Sequence, residues 1–98
     1  MIADEKKYYY SLKNSLLDFF HNDKNVQVFI FGSSTKNDRF GDIDVGVMGK
    51  INDKKIRELK ELFEESNFPF FVDVINFNTV DEPFRKNVLD NKILWIKR

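Results

Sequence analysis

Three short apolar runs, each bounded by glycine, proline or polar residues, restrict the folds open to this chain more than any other feature. The runs are Val26–Phe31, Asp42–Met48 and Phe70–Phe77, and they are rich in β-branched and aromatic residues. Runs of this length and composition are typical of β-strands. In the second run the apolar residues alternate, so Ile43 and Val47 should face the core together. Because the chain has 98 residues, we expect one domain that spans 1–98.

Helical periodicity precedes, separates and follows these runs. The other predicted elements are a helix at about 4–21, at most a short helix within 33–41, a helix after the N-cap Asn52 or Asp53, a helix that ends near 90, and an edge strand at 93–96. Thr79, with Glu82 three residues later, predicts a capping box for the last helix. The order αβ(α)βαβαβ therefore indicates an α/β or α+β protein in which helices flank a small mixed sheet.

Composition excludes several classes of protein. Sixteen basic and sixteen acidic side chains cancel, so no overall field attracts nucleic acid or an anionic membrane. The absence of cysteine excludes disulfides and thiolate metal sites. No apolar stretch approaches the roughly 20 residues that a membrane span needs, and the first residues lack the pattern of a signal peptide. We therefore expect a soluble cytoplasmic protein that does not bind nucleic acid directly.

Two aspartates open the second strand, and a third lies inside the next strand. Asp42 and Asp44 are two residues apart, so their side chains point to the same face of the strand. Asp73 is flanked by Val72 and Val74, where an unpaired charge is costly. If the third strand lies beside the second, the three carboxylates can converge. They could then hold two Mg²⁺ ions, an arrangement that suits phosphoryl transfer.

A Gly-Ser pair at the end of the first strand supplies the other half of a candidate nucleotide site. Gly32 lets the backbone approach a ligand, and the hydroxyl and N–H groups of Ser33 and Ser34 can hold phosphate. Lys36 and Arg39, in the same loop, add positive charge beside a triphosphate. A Gly-Ser pair or an Asp-x-Asp pair alone is weak evidence, because most are ordinary turns and exposed strand ends. Their order on consecutive strands, followed by a third aspartate, favours an NTP·Mg²⁺ site.

At these residues the sequence resembles the polymerase-beta-like nucleotidyltransferases, and within them the minimal nucleotidyltransferase branch. The resemblance extends over nearly the whole chain, including the stretch SNFPFFVDVINFNTVDEPFRK. It implies that Gly32 and Ser33 hold the β- and γ-phosphates of ATP. It also implies that Asp42 and Asp44 ligate both Mg²⁺ ions. Asp73 would ligate the catalytic ion and help to deprotonate the acceptor hydroxyl.

The resemblance further implies a partner. Minimal nucleotidyltransferases typically occur beside a small helical protein of the HEPN type, with which they form a toxin–antitoxin pair, so a hetero-oligomer is expected. In that branch the antitoxin can transfer AMP from ATP to a tyrosine of its partner. This chain departs from the family pattern in the loop, which is shorter than usual and has Thr35, Lys36 and Asn37 where an Arg and a second Gly are common.

Two hypotheses about function therefore stay open. The first is a nucleotidyltransferase that modifies a partner protein. The second is a weak or inactive module of the same fold that binds and occludes a helical partner, because a displaced triphosphate can slow transfer about 100-fold. Modification of a small molecule is a third reading, which the absence of a substrate domain disfavours.

Overall fold

The computed structural model describes residues 3–32 and 42–98, and side chains from residue 8 onward. Its elements in chain order are α1 (Ala3–Phe19), β1 (Val26–Phe31), β2 (Asp42–Gly49), α2 (Asp53–Glu65), β3 (Phe71–Asn76), α3 (Glu82–Asp90) and β4 (Leu94–Lys97). The predicted α/β class, with helices flanking a small mixed sheet, is confirmed. The short helix expected within 33–41 falls on residues outside the described ranges.

The four strands form one sheet in the order β3-β2-β1-β4. β1 is antiparallel to β2 and to β4, whereas β2 and β3 are parallel. Parallel neighbours need a crossover connection, and α2 provides it. β4 lies at an edge of the sheet, as the apolar tail predicts. β2, which begins with two aspartates, therefore has a strand on each side.

Helices α1 and α2 cover one face of the sheet. Alternation along β2 turns Ile43, Val45 and Val47 toward this face, and all three are fully buried as predicted. The residues that share this core with them include Leu12, Leu16, Phe20, Val28, Ile30, Ile56, Leu59, Val72 and Val74. Burying one such aliphatic side chain contributes about 1.5–3 kcal/mol, so this cluster is the main source of stability.

The opposite face carries a second, smaller apolar cluster beneath α3. The Phe77 ring lies edge-on to the rings of Phe29 and Phe31, with centroid separations of 4.9 and 5.1 Å. Val88 of α3 packs against these rings. Gly46 makes room for them, because a Cβ at this position would overlap the ring of Phe29. The face of the sheet that carries the aspartates therefore also contains buried apolar side chains, which lie beneath α3.

The start of α3 differs from the prediction. Asp81, and not Thr79, is the N-cap: its carboxylate accepts a hydrogen bond of 2.9 Å from the backbone N–H of Phe84. Thr79 instead donates its hydroxyl to the carbonyl of Asn76 in the preceding turn, at 3.1 Å. The helix consequently begins at Glu82. The predicted capping box would need this glutamate at the third position of the helix, and here it is the first. Aspartate is at least as good an N-cap residue as threonine, so Asp81, which lies nearer to the helix, caps it.

The other helix ends lie close to the predicted positions. α1 ends at Phe19, two residues before the expected His21. α2 is capped by Asn52, whose side-chain oxygen accepts from the N–H of Lys55 at 2.8 Å. Among the described residues, no helix is long and apolar enough to cross a membrane.

Candidate active site

The acidic residues of β2 and β3 lie at neighbouring positions on one face of the sheet. In the parallel pairing Asp44 is directly opposite Asp73, and Asp42 is opposite Phe71. Neighbouring strands are about 4.8 Å apart, and alternate residues of one strand share a face. The three aspartates therefore occupy adjacent positions, which the sequence could predict only on the condition that the two strands were neighbours. We refer to Asp42, Asp44 and Asp73 as the acidic cluster.

The charges of the acidic cluster act on one another. Asp42 and Asp73 are exposed, whereas Asp44 is half-buried. Burial raises the pKa of the Asp44 carboxyl above its ordinary value of 3.8, and repulsion from Asp73 and then from Asp42 raises this pKa further. A cation beside Asp44 would relieve both effects, because each of them disfavours the ionised carboxylate.

Gly32 brings the end of β1 against the acidic cluster. Its neighbour Phe31 pairs with Asp44 across the sheet. The backbone at Gly32 has a φ of +83°, a conformation that favours glycine. A Cβ at Gly32 would also overlap the carboxylate of Asp44, so a side chain here is strained by the backbone conformation and would displace that carboxylate. The backbone at Gly32 therefore lies directly against the acidic cluster.

The other residues predicted to bind the nucleotide lie outside the described residues. These residues are Ser33, Ser34, Lys36 and Arg39. Their placement in a phosphate-binding loop stays a prediction. Of the predicted nucleotide-binding set, Gly32 alone falls within the described ranges, and it lies next to the predicted metal ligands.

The acidic cluster suits a divalent cation in its chemistry but does not enclose one. Within residues 3–32 and 42–98, no group of three or more His, Asp or Glu side chains is arranged to surround a metal ion. Mg²⁺ is typically bound through one or two carboxylates and completes its coordination with water and phosphate oxygens. The donors are carboxylates, and burial together with repulsion from Asp73 and Asp42 raises the pKa of Asp44. The residues therefore fit Mg²⁺ that arrives with a nucleotide better than they fit an all-protein cage.

Two features beside the cluster were not found from the sequence. Lys92, with Asn87 and Asn91, lines a cavity of about 120 Å³ that also touches Gly32. No spacing in the sequence links Lys92 to Gly32, because only the path of the chain through α3 brings them together. Phe71, opposite Asp42, is 64% exposed and is the most exposed of the large apolar side chains in the described residues. In the sequence, the one indication of this exposed ring was that Phe71 stands two residues before Asp73.

Comparisons with known proteins bear on the family and the fold of this chain. Residues 14–98 match the family model described as polymerase beta, nucleotidyltransferase. A crystal structure of the toxin–antitoxin MntA-HpeT, in a mutant with two aspartates two positions apart changed to glutamate, is similar over 85% of this chain and 71% of that chain, with a TM-score of 0.63 and 19% identity. A toxin–antitoxin structure with AMP-PNP has a TM-score of 0.63 at 17% identity, over 86% of this chain and 71% of that chain.

At these identities the solved structures establish the fold alone, and a search of curated proteins found no match. The family model carries the assignment, because it extends over most of the chain and includes both Gly32 and the acidic cluster. This protein therefore belongs to the polymerase beta nucleotidyltransferase family.

Proposed function

We propose that this protein is a Mg²⁺-dependent nucleotidyltransferase that moves AMP from ATP to a hydroxyl of a partner protein. In this proposal the acceptor is a tyrosine of a small helical HEPN-type protein, and the modification makes this chain an antitoxin. The observation that carries the proposal is the strand register that sets Asp44 opposite Asp73, with Asp42 on the same face and Gly32 alongside. Similarity to toxin–antitoxin structures, one of them with AMP-PNP, supports the donor and the type of partner.

In this proposal the two substrates bind on opposite sides of β2. Gly32 ends β1 on one side, and Asp73 lies in β3 on the other. A triphosphate held at the loop after Gly32 would therefore extend over Asp42 and Asp44. The acceptor hydroxyl would then approach the α-phosphorus from the side of β3.

Transfer forms one P–O bond and breaks another. The acceptor oxygen attacks the α-phosphorus of ATP, the bond to the β-phosphate oxygen breaks, and pyrophosphate leaves. Asp73, which is exposed on the acceptor side, would take the proton of the attacking hydroxyl. Asp42 and Asp44 would orient the α-phosphate through bound Mg²⁺, which supplies positive charge to the phosphates.

Labelled ATP tests this proposal directly. The protein is incubated with ATP labelled in the α-phosphate, with Mg²⁺ and with the protein encoded beside it, and transfer is followed on a gel. We expect label on the partner, and a loss of at least about 100-fold in Asp42→Asn and Asp73→Asn. Glu58→Gln is the matched control, because this exposed carboxylate lies on α2 outside the acidic cluster. Absence of transfer by the unmodified protein, or undiminished transfer by both aspartate variants, would contradict the proposal.

A second candidate function is a non-catalytic module that occludes its partner. It is favoured by the short Gly-Ser loop, in which Thr35, Lys36 and Asn37 stand where an Arg and a second Gly are common in the family. Neutralisation of the partner distinguishes the two functions. An enzyme loses neutralisation in Asp42→Asn and Asp44→Asn, whereas an occluding module retains it with unchanged affinity.

A further inference from the structure

The outer edge of β3 is open beside the acidic cluster. Among the described residues β3 pairs with β2 only, so the backbone N–H and C=O groups on its other side have no strand partner. A groove of about 480 Å³ runs along this edge, between β3 and α2, and Asp73 is one of the residues that line it. An open strand edge next to a groove is a template for an additional strand.

Two basic residues of α2 line the same groove. Arg57 and Lys60 are three residues apart, so their side chains lie on the same side of the helix. Both are exposed, and neither forms an ion pair with any residue in the described part of the chain. By contrast Lys55, on another side of the helix, pairs with Asp23 at 3.4 Å. The groove therefore offers two cations that an acidic ligand can bind.

We propose that the groove binds an extended, acidic segment of the acceptor protein as an added strand along β3. The hydroxyl-bearing residue of that segment then lies beside Asp73, on the side from which the acceptor must approach. This inference rests on the proposed nucleotidyl transfer, and it identifies the kind of sequence that presents the hydroxyl.

The spacing of the cations fits acidic residues on a strand. Side chains three apart on a helix have Cβ atoms about 5–6 Å apart, and alternate residues of a strand are about 6–7 Å apart on one side. Two carboxylates at alternate positions of the bound strand can therefore contact Arg57 and Lys60 together. Asp53, one helical turn before Arg57, lines the groove as well and favours a basic residue where the segment leaves it.

Peptide binding tests the docking surface without any transfer chemistry. The probe is a short fluorescent peptide that alternates valine and glutamate around a central tyrosine, and fluorescence polarisation measures its affinity at low salt. We expect it to bind about tenfold more tightly than the same peptide with lysine in place of glutamate. N-methylation of alternate amides should weaken binding by a similar factor, because it removes hydrogen bonds to the edge of β3. Equal affinity for the acidic and basic peptides, or no effect of N-methylation, would overturn the inference.

Paired charge reversals localise the effect. The double variant Arg57→Glu with Lys60→Glu should lose the preference for the acidic peptide. The double variant Lys54→Glu with Lys86→Glu changes the net charge equally at exposed positions that do not line the groove, and it should keep the preference. An equal loss in both double variants would attribute binding to overall charge and would contradict a specific groove.

The two proposals fail in distinguishable ways. If the protein binds the acidic peptide at the groove but transfers no label from ATP, the docking surface is supported and nucleotidyl transfer is contradicted. The unmodified protein could instead label its partner, and the Arg57→Glu, Lys60→Glu double variant could do so with the same KM for the partner. That result would support nucleotidyl transfer and exclude the groove as the acceptor site. A raised KM with an unchanged kcat supports both.

Discussion

Replacing Asp44 by asparagine should stabilise the protein in the absence of Mg²⁺. Asp44 is half-buried, and Asp73 and Asp42 both repel its charge. Two unit charges about 5 Å apart repel by about 0.8 kcal/mol in water and by about 3 kcal/mol at an effective dielectric constant of 20. Because the neighbouring carboxylates are exposed, solvent screening reduces the net repulsion to about 1 kcal/mol. Asp44→Asn keeps the shape of the side chain and removes this repulsion.

Thermal unfolding measures the effect. In EDTA at pH 7 the Tm of Asp44→Asn should exceed that of the unmodified protein by about 4–8 °C, the shift that 1 kcal/mol produces in a domain of this size. The pH dependence has a definite sign. The folded protein raises the pKa of Asp44, so ionised Asp44 reduces stability at neutral pH, and this penalty is lost as the pH falls through the raised pKa. The difference in Tm should therefore shrink between pH 7 and about pH 4.

Magnesium should reverse the order of stability. A ligand present at 100 times its Kd stabilises the folded state by about 2.7 kcal/mol, which is more than the repulsion that the asparagine removes. The unmodified protein should then unfold at a higher temperature than Asp44→Asn in saturating Mg²⁺ and AMP-PNP. A variant that is less stable than the unmodified protein in EDTA, or one that responds equally to Mg²⁺, would refute the reasoning about the acidic cluster.

Three further substitutions test the surroundings of the site. Gly32→Ala should lower stability by about 1–2 kcal/mol and abolish transfer, because its Cβ overlaps the Asp44 carboxylate and its φ is positive; an alanine variant of unchanged Tm and activity would contradict this contact. Lys92→Ala should raise the KM for ATP about three- to tenfold with little change in Tm, as measured by pyrophosphate release; an unchanged KM would exclude the cavity beside Gly32 from nucleotide binding. Asp81→Ala should cost about 1 kcal/mol in chemical denaturation and Thr79→Ala clearly less; the opposite ranking would return the N-cap of α3 to Thr79.

The strands and their faces could be predicted from the sequence because they depend on local periodicity. Alternation in the second apolar run correctly turns Ile43, Val45 and Val47 inward and the two aspartates toward the other face. The acidic cluster required more than periodicity. Asp73 meets the other two aspartates only because β3 lies parallel to β2 in a register that sets it opposite Asp44. Register is a property of the whole sheet, so the sequence could predict this meeting only conditionally.

Other parts of the site depend on contacts between distant segments. The cavity formed by Gly32 and Lys92 depends on how α3 packs over the second apolar cluster, which no local pattern describes. The start of α3 was misassigned because Thr79 and Asp81 both occur where a helix can begin. The choice depends on the turn after β3, in which the Thr79 hydroxyl is already bonded to a backbone carbonyl.

A structure with Mn²⁺ and AMP-PNP tests most directly whether two strands build one catalytic cluster. Anomalous scattering locates the Mn²⁺ ions independently of the protein atoms. We expect a peak within about 2.0–2.4 Å of carboxylate oxygens of both Asp42 and Asp44, with Asp73 facing the same ion and the triphosphate beside Gly32. Mn²⁺ bound away from these carboxylates, or a triphosphate that does not reach Gly32, would contradict the proposal that the acidic cluster is the catalytic site.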